Sequence, residues 1–229
     1  MKAGGYIVTG ASSGIGEAVA RQLLDRDENV LLVARRKEIL EGLAREFPKA
    51  SVFATDLSVP GSAVAVAKSA KECFGVVKGF VHCAGFVAPA PLGMIDEKTV
   101  MDLYKVHAIF PMMFLGWMAR KLNHIEGASA VLVSSRSSCE ADIGNAAYAS
   151  AKGAVNGLYT TARAELAMRG VRLELYSPSE VDTPMARKTW MTTATPERMV
   201  EIMARHPDGL PSAHDAAKDI ITLLDGGER

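Results

Sequence analysis

Short runs of β-branched and aliphatic residues alternate along the chain with longer stretches whose apolar positions recur every three or four residues. The strand-like runs are Tyr6 to Thr9, Asn29 to Ala34, Ser51 to Thr55, Val76 to Cys83, Ala130 to Ser135 and Val171 to Ser177. Between them the helical pattern predicts Gly14 to Arg26, with Ile15, Val19, Leu23 and Leu24 on one face, then Lys37 to Phe47, stopped by Pro48, and Ser62 to Cys73. Further on it predicts Glu97 to Tyr104, Val106 to His124, a long helix Ala147 to Met168 ended by Gly170, and a last helix Ala213 to Leu224. Apolar strands set between helices imply a parallel sheet covered on both faces, with right-handed crossovers. The expected fold is therefore α/β and doubly wound, with ligands at the carboxyl ends of the strands. No repeat or linker divides residues 1–229, so one domain is expected, and the less regular stretch 184–211 is placed as a lid over the site.

Composition narrows the function classes. The 26 basic and 26 acidic side chains cancel, which argues against a nucleic-acid partner. Cys73, Cys83 and Cys139 form no C-x-x-C and are odd in number, so neither a disulfide framework nor a metal site is expected. Nothing reads as a cleaved leader or a membrane span, and the expected setting is cytoplasmic, without a membrane partner.

The first strand runs into Thr9-Gly10-Ala11-Ser12-Ser13-Gly14-Ile15-Gly16. Gly10 permits a tight turn, while Gly14 and Gly16 let backbone approach a pyrophosphate at a helix N-terminus. The second strand ends in Val33-Ala34-Arg35-Arg36-Lys37, with cations where an NAD site would carry an acid. That charge suits the 2′-phosphate of NADP(H), with Arg35 as the favoured contact and Ser12 and Arg36 as helpers; a solvated basic loop is the competing reading. Asp56, ahead of Leu57, can accept the adenine amino group, cap the next turn, or do both.

Tyr148 and Lys152 stand four apart, one turn along the same face of the long helix. A nearby ammonium favours the phenolate, so this phenol can exchange a proton with a substrate oxygen near neutral pH. Lys152 can also hold the nicotinamide ribose hydroxyls. Ser135, at the end of the fifth strand, can donate to a developing alkoxide, although Ser134, Ser137 and Ser138 compete for that role on spacing alone.

This ordered set resembles the classical short-chain dehydrogenase/reductase family, over roughly Tyr6 to Met185. The resemblance rests on the glycine turn, Asp56-Leu57, Ala84-Gly85, Ser135, Tyr148-x-x-x-Lys152 and the segment Pro178 to Thr183. It implies a Rossmann fold, a nicotinamide cofactor and interconversion of a carbonyl and a secondary alcohol, as in ketoreductases and 3-oxoacyl reductases. Arg35 looks like the basic residue of NADP-preferring members. By the same resemblance Tyr148 is the acid/base, Ser135 orients the carbonyl and Lys152 lowers the tyrosine pKa. Pro178, Val181 and Thr183 then contact the cofactor, with Val181 on the carboxamide through its backbone.

Four features depart from the family pattern. Cys83 stands where an Asn precedes Ala-Gly, and Ser179 stands where a Gly follows Pro178. The slot of the fourth catalytic residue, an Asn that holds a relay water, falls on His107. An imidazole can substitute there or simply pack in its helix. Asp225 to Arg229 is too short for the seventh strand of many members.

A moderately hydrophobic small-molecule substrate follows if Met185, Trp190, Met191, Met199 and Met203 line the lid, ordinary helix packing being the alternative. Apolar helices around His107 to Arg120 and Ala147 to Met168 resemble those that pair in relatives, and a homodimer is expected over a tetramer. The competing function is an NADP(H)-binding regulatory protein with little catalysis, motivated by His107 and Ser179.

Overall fold

The computed structural model describes residues 4–141, 143–193 and 195–227, with the side chains of 190–193 outside that description. Six parallel strands form one sheet: β1 Gly5–Thr9, β2 Val30–Ala34, β3 Ala50–Ala54, β4 Val77–His82, β5 His124–Val133 and β6 Val171–Tyr176. Their spatial order is β3-β2-β1-β4-β5-β6, so the direction of winding reverses between β1 and β4. A crevice opens at that point, beyond the carboxyl ends of the strands.

Period-two alternation divides the core between the two sheet faces. Ile7, Leu31, Val33, Phe80, Ala130 and Leu132 pack on one side against α3 Ser62–Phe74, α5 Phe110–Met118 and α6 Ala146–Ala167. Their neighbours Val8, Leu32, Val81, Val131 and Val133 pack on the other side against α1 Gly14–Asp25, α2 Lys37–Glu46 and α9 Ala213–Asp225. β2 is apolar and buried at every position because both of its faces are covered. Burying these side chains contributes about 1.5–3 kcal/mol apiece for the larger ones.

The predicted helix Val106 to His124 is shorter than expected. α4 Glu97–Tyr104 passes into α5 through a single π turn, Lys105–Ile109, and α5 stops at Met118. The Asn123 amide donates to Trp117 O at 2.7 Å and closes the exit from the helix. β5 then begins at His124 rather than Ala130. It bulges, advancing from His124 to Ser129 while β4 advances from Val77 to Gly79, and Gly127 takes φ +75° within the bulge.

The stretch 184–211 contains two helices, α7 Pro184–Thr193 and α8 Pro196–Arg205. Thr183 Oγ1 accepts from Ala186 N–H near the start of α7, and the Thr195 side chain caps α8 by accepting from Arg198 N–H. Among the described residues no helix is long and apolar enough to cross a membrane.

Candidate active site

A cleft of about 1190 Å³ lies over the carboxyl ends of the strands and runs from the glycine turn to α6, α7 and α8. At the glycine turn, Gly10 has φ +71°, and a Cβ there would sit 2.9 Å from the Ala84 backbone nitrogen. A Cβ on Gly16 would meet Gly10 O at 2.4 Å, so β1 and α1 approach too closely for any other residue. Ser13, which precedes α1, makes no side-chain cap, and the first N–H groups of the helix are left to a ligand or solvent. Gly10, Ser12, Ser13, Gly14 and Ile15 line the cleft, and Gly16 supports it from behind.

At the end of β2 both arginines stand beside the glycine turn. Arg36 folds back onto the turn, with Nη2 at 2.9 Å from Ser12 Oγ, 3.1 Å from Ser12 O and 2.8 Å from Ser13 Oγ. Arg35 also lines the cleft, so two guanidinium groups flank its glycine-turn end. Asp56 lines it as well while accepting from Ser58 N–H at 2.9 Å, so its turn-capping role is present and its place beside the cleft is kept. Leu57 is mostly buried and lines the cleft as well.

The other end of the cleft collects Ser135, Tyr148, Lys152 and His107. Lys152 is buried, donates to Val133 O at 2.7 Å, and places Nζ 5.7 Å from the centroid of the Tyr148 ring. Burial pushes this lysine down to about 8, partly offset by Cys83. His107 meets the Tyr148 ring edge-on, with centroids 5.4 Å apart and planes at 83°. Its Nε2 lies 3.0 Å from Phe86 O and 3.3 Å from Phe86 N. Nδ1 has no hydrogen-bond partner although it is buried. Burial, followed by the Lys152 charge, holds the ring well below the ordinary histidine range, so it is neutral. Gly85 makes room for this imidazole, since a Cβ there would stand 2.4 Å from His107 Cε1.

The competing serines separate by their partners. Ser134 Oγ donates to Asn156 Oδ1 at 2.6 Å, and Asn156 Nδ2 donates to Ser138 Oγ at 2.8 Å. Asn156 thereby ties α6 to the serine run on both sides of Ser135. Ser135 Oγ accepts from Ser137 N–H at 3.2 Å and lines the cleft, as does Ser137. The spacing could have revealed Asn156, which stands four residues beyond Lys152 on the face that carries Tyr148.

After β6, Pro178, Val181 and Thr183 also line the cleft. Pro178 O accepts from Arg136 N–H at 3.1 Å, and the side chain of Thr183 lies 3.5 Å from where a Gly14 Cβ would be. Glu180 pairs with Arg205 and, at 3.1 Å, with His206 Nε2, joining the end of α8 to this segment. Burial pushes the Glu180 carboxyl up, but hydrogen bonds from Arg205 and His206 outweigh it and leave the group below the usual carboxylate range. Of the methionines expected in the lid, Met185 lines the cleft and Met199 and Met203 do not; the side chains of Trp190 and Met191 lie outside the described residues. Phe86, Val87, Ala88 and Ile202 supply the rest of an apolar wall. Cys83 lines the cleft, and burial pushes its thiol up to about 12, Lys152 opposing, so it is a thiol and not a thiolate at neutral pH.

Residues 6–194 match the sequence model of the short chain dehydrogenase family. A 2-(R)-hydroxypropyl-CoM dehydrogenase of Xanthobacter autotrophicus is 30% identical over 229 residues, covering 96% of this chain and 90% of that one. An uncharacterized oxidoreductase of Staphylococcus epidermidis is 30% identical over 193 residues, 80% of each chain. Among solved structures, the KRED1-Pglu enzyme superposes with a TM-score of 0.85 at 25% identity, covering 99% of this chain and 97% of that one.

Proposed function

The chain belongs to the short-chain dehydrogenase/reductase family of oxidoreductases, and from that premise we propose that it interconverts a carbonyl and a secondary alcohol using NADP(H). The observation that carries this reading is the meeting of Tyr148 and Lys152, with Nζ 5.7 Å from the ring, at one end of a cleft whose other end is a glycine turn flanked by Arg35 and Arg36. The cradle fits a dinucleotide. Gly10 and Gly16 allow the close backbone approach, the start of α1 offers N–H groups to a pyrophosphate, and the two guanidinium groups suit a 2′-phosphate.

When bound, the dihydronicotinamide supplies hydride to the carbonyl carbon. Tyr148 Oη gives the proton that the carbonyl oxygen takes up, and the Lys152 ammonium stabilises the phenolate left behind. Ser135 Oγ–H donates to the same oxygen as its charge grows. Lys152 spends one N–H on Val133 O and keeps two for ribose hydroxyls. His107 takes the place of the relay asparagine, with Nδ1 as the group that holds a water beside Tyr148. Phe86, Val87, Ala88, Met185 and Ile202 select an apolar substituent on the carbonyl compound. A homodimer through α5 and α6 would cover Met112 and Met113, which are half exposed on α5.

Tyr148→Phe tests this reading. The variant is expected to bind NADPH as wild type does, by fluorescence titration, while carbonyl reduction falls by about 10²- to 10⁴-fold. Reduction at the wild-type rate would remove the acid/base assignment. Wild-type protein that binds NADPH but leaves it unoxidised across a broad carbonyl panel would leave the nucleotide-binding regulatory role instead.

A further inference from the structure

His82, at the end of β4, is nearly fully buried and takes no part in the chemistry above. Its partners define every proton on the ring. Val106 O lies 3.0 Å from Nε2 and can only accept, so Nε2 carries the hydrogen. Nδ1 then accepts from Thr9 Oγ1–H at 2.9 Å, and Thr9 Oγ1 in turn accepts from Ala84 N–H at 3.2 Å. Burial, with the Lys152 charge behind it, pushes this imidazole down to about 3, so the tautomer holds across the working pH range.

The Val106 carbonyl needs that donor for a local reason. In an α-helix it would accept from Phe110 N–H, but in the π turn Phe110 N–H reaches back to Lys105 O. In a π-helix it would accept from residue 111, but that residue is Pro111, which has no N–H. The same imidazole also stacks on the Phe110 ring, with centroids 5.5 Å apart and planes at 25°. His82 therefore grips the wide turn near both ends, and His107 sits between the two grips.

The geometry points to His82 as a positioning residue that holds the π turn Lys105–Ile109, and with it His107, in register against Tyr148. The consequence for turnover rests on the role proposed for His107, whereas the hold on the turn does not.

Three variants and two readouts test it. Gln places an amide nitrogen where Nε2 sits, Asn reaches only to the Nδ1 position, and Leu offers neither. Hydrogen exchange of the 107–110 amides is expected to quicken by about 10-fold or more in His82→Leu and His82→Asn, the loss of one buried bond. His82→Gln should stay near wild type, with β2 amides as the unchanged reference. Unchanged exchange over the turn in His82→Asn, or no difference between Asn and Gln, overturns the assignment even if His82→Leu does not fold. For turnover, His82→Asn should lower kcat with the NADPH KM retained, and adding His107→Ala to it should cost no more than His107→Ala alone. Losses that simply add would show that His82 acts elsewhere. If His107→Ala alone turns over like wild type, the role proposed for His107 fails, and the exchange comparison still decides whether His82 holds the turn.

Discussion

Gly85→Ala places one methyl group between two elements of the site. The new Cβ would stand 2.4 Å from His107 Cε1, 3.1 Å from Nδ1 and 3.3 Å from Nε2, whereas ordinary contact begins at 3.4 Å. The imidazole must therefore retreat by about 1 Å, or the backbone must shift as far, in a densely packed interior. A displacement of that size breaks the 3.0 Å contact with Phe86 O and disturbs the edge-on contact with Tyr148. Overpacking costs about 1–3 kcal/mol and the lost buried hydrogen bond about 1 more. A loss of about 2–4 kcal/mol lowers Tm by roughly 4–16 °C for a chain of this size. Misplacing a group beside the acid/base by about 1 Å should also cost about 10- to 100-fold in kcat. Gly42→Ala is the control. Its Cβ would meet only the end of Arg45 at 3.8 Å within α2, so helix propensity should leave the protein unchanged or more stable by up to about 1 kcal/mol. Thermal unfolding by circular dichroism and NADPH oxidation at saturating carbonyl provide the two measurements. A Gly85→Ala protein with the Tm and kcat of Gly42→Ala would refute the claim that this glycine exists to seat His107.

Two further predictions concern the charged groups of the cleft. Burial lowers the folded pKa of Lys152 to about 8 from 10.5, so between those values the unfolded chain binds more protons than the folded one. The stability of cofactor-free wild type relative to Lys152→Met should rise by about 3 kcal/mol as pH climbs through that window, and be flat below it. Urea titrations from pH 7 to 10.5 measure this, and a difference that falls with pH would mean that burial is not what acts on the ammonium. Arg36→Ala should weaken NADPH binding by about 10- to 100-fold through lost charge-assisted bonds while changing NADH by less than about 3-fold. Arg35→Ala should act in the same sense, and equal losses for both nucleotides would remove the 2′-phosphate reading.

β2 was legible because covering both faces leaves one signature at every position of that strand. Val30, Leu31, Leu32, Val33 and Ala34 are all buried, and no polar residue interrupts them. The tight glycine turn and the closeness of Tyr148 and Lys152 were legible for a related reason, since both are set by fixed local spacing. Legibility failed around α5. Phe110–Met118 is apolar nearly all round, which gives no period to locate its end, and the Gly127 bulge hides the start of β5 behind polar residues. The fold of Arg36 onto the glycine turn was not legible either. Both follow the same strand, and only the backbone direction after Ala34 decides which guanidinium folds onto Ser12.

What remained hidden is the set of groups that act through a distant partner. Thr9 and His82 are 73 residues apart, and that pair leaves no local spacing to read. The clue to His82 was a missing donor: Pro111 deprives a carbonyl of its helical partner, and a buried carbonyl without a partner costs enough that something nearby must supply an N–H. A proline inside a helix that continues past it thus marks a carbonyl four or five residues upstream in need of a donor. In this fold the last residue of β4 is the one that reaches it, which couples the strand beside the nucleotide cradle to the turn that carries His107.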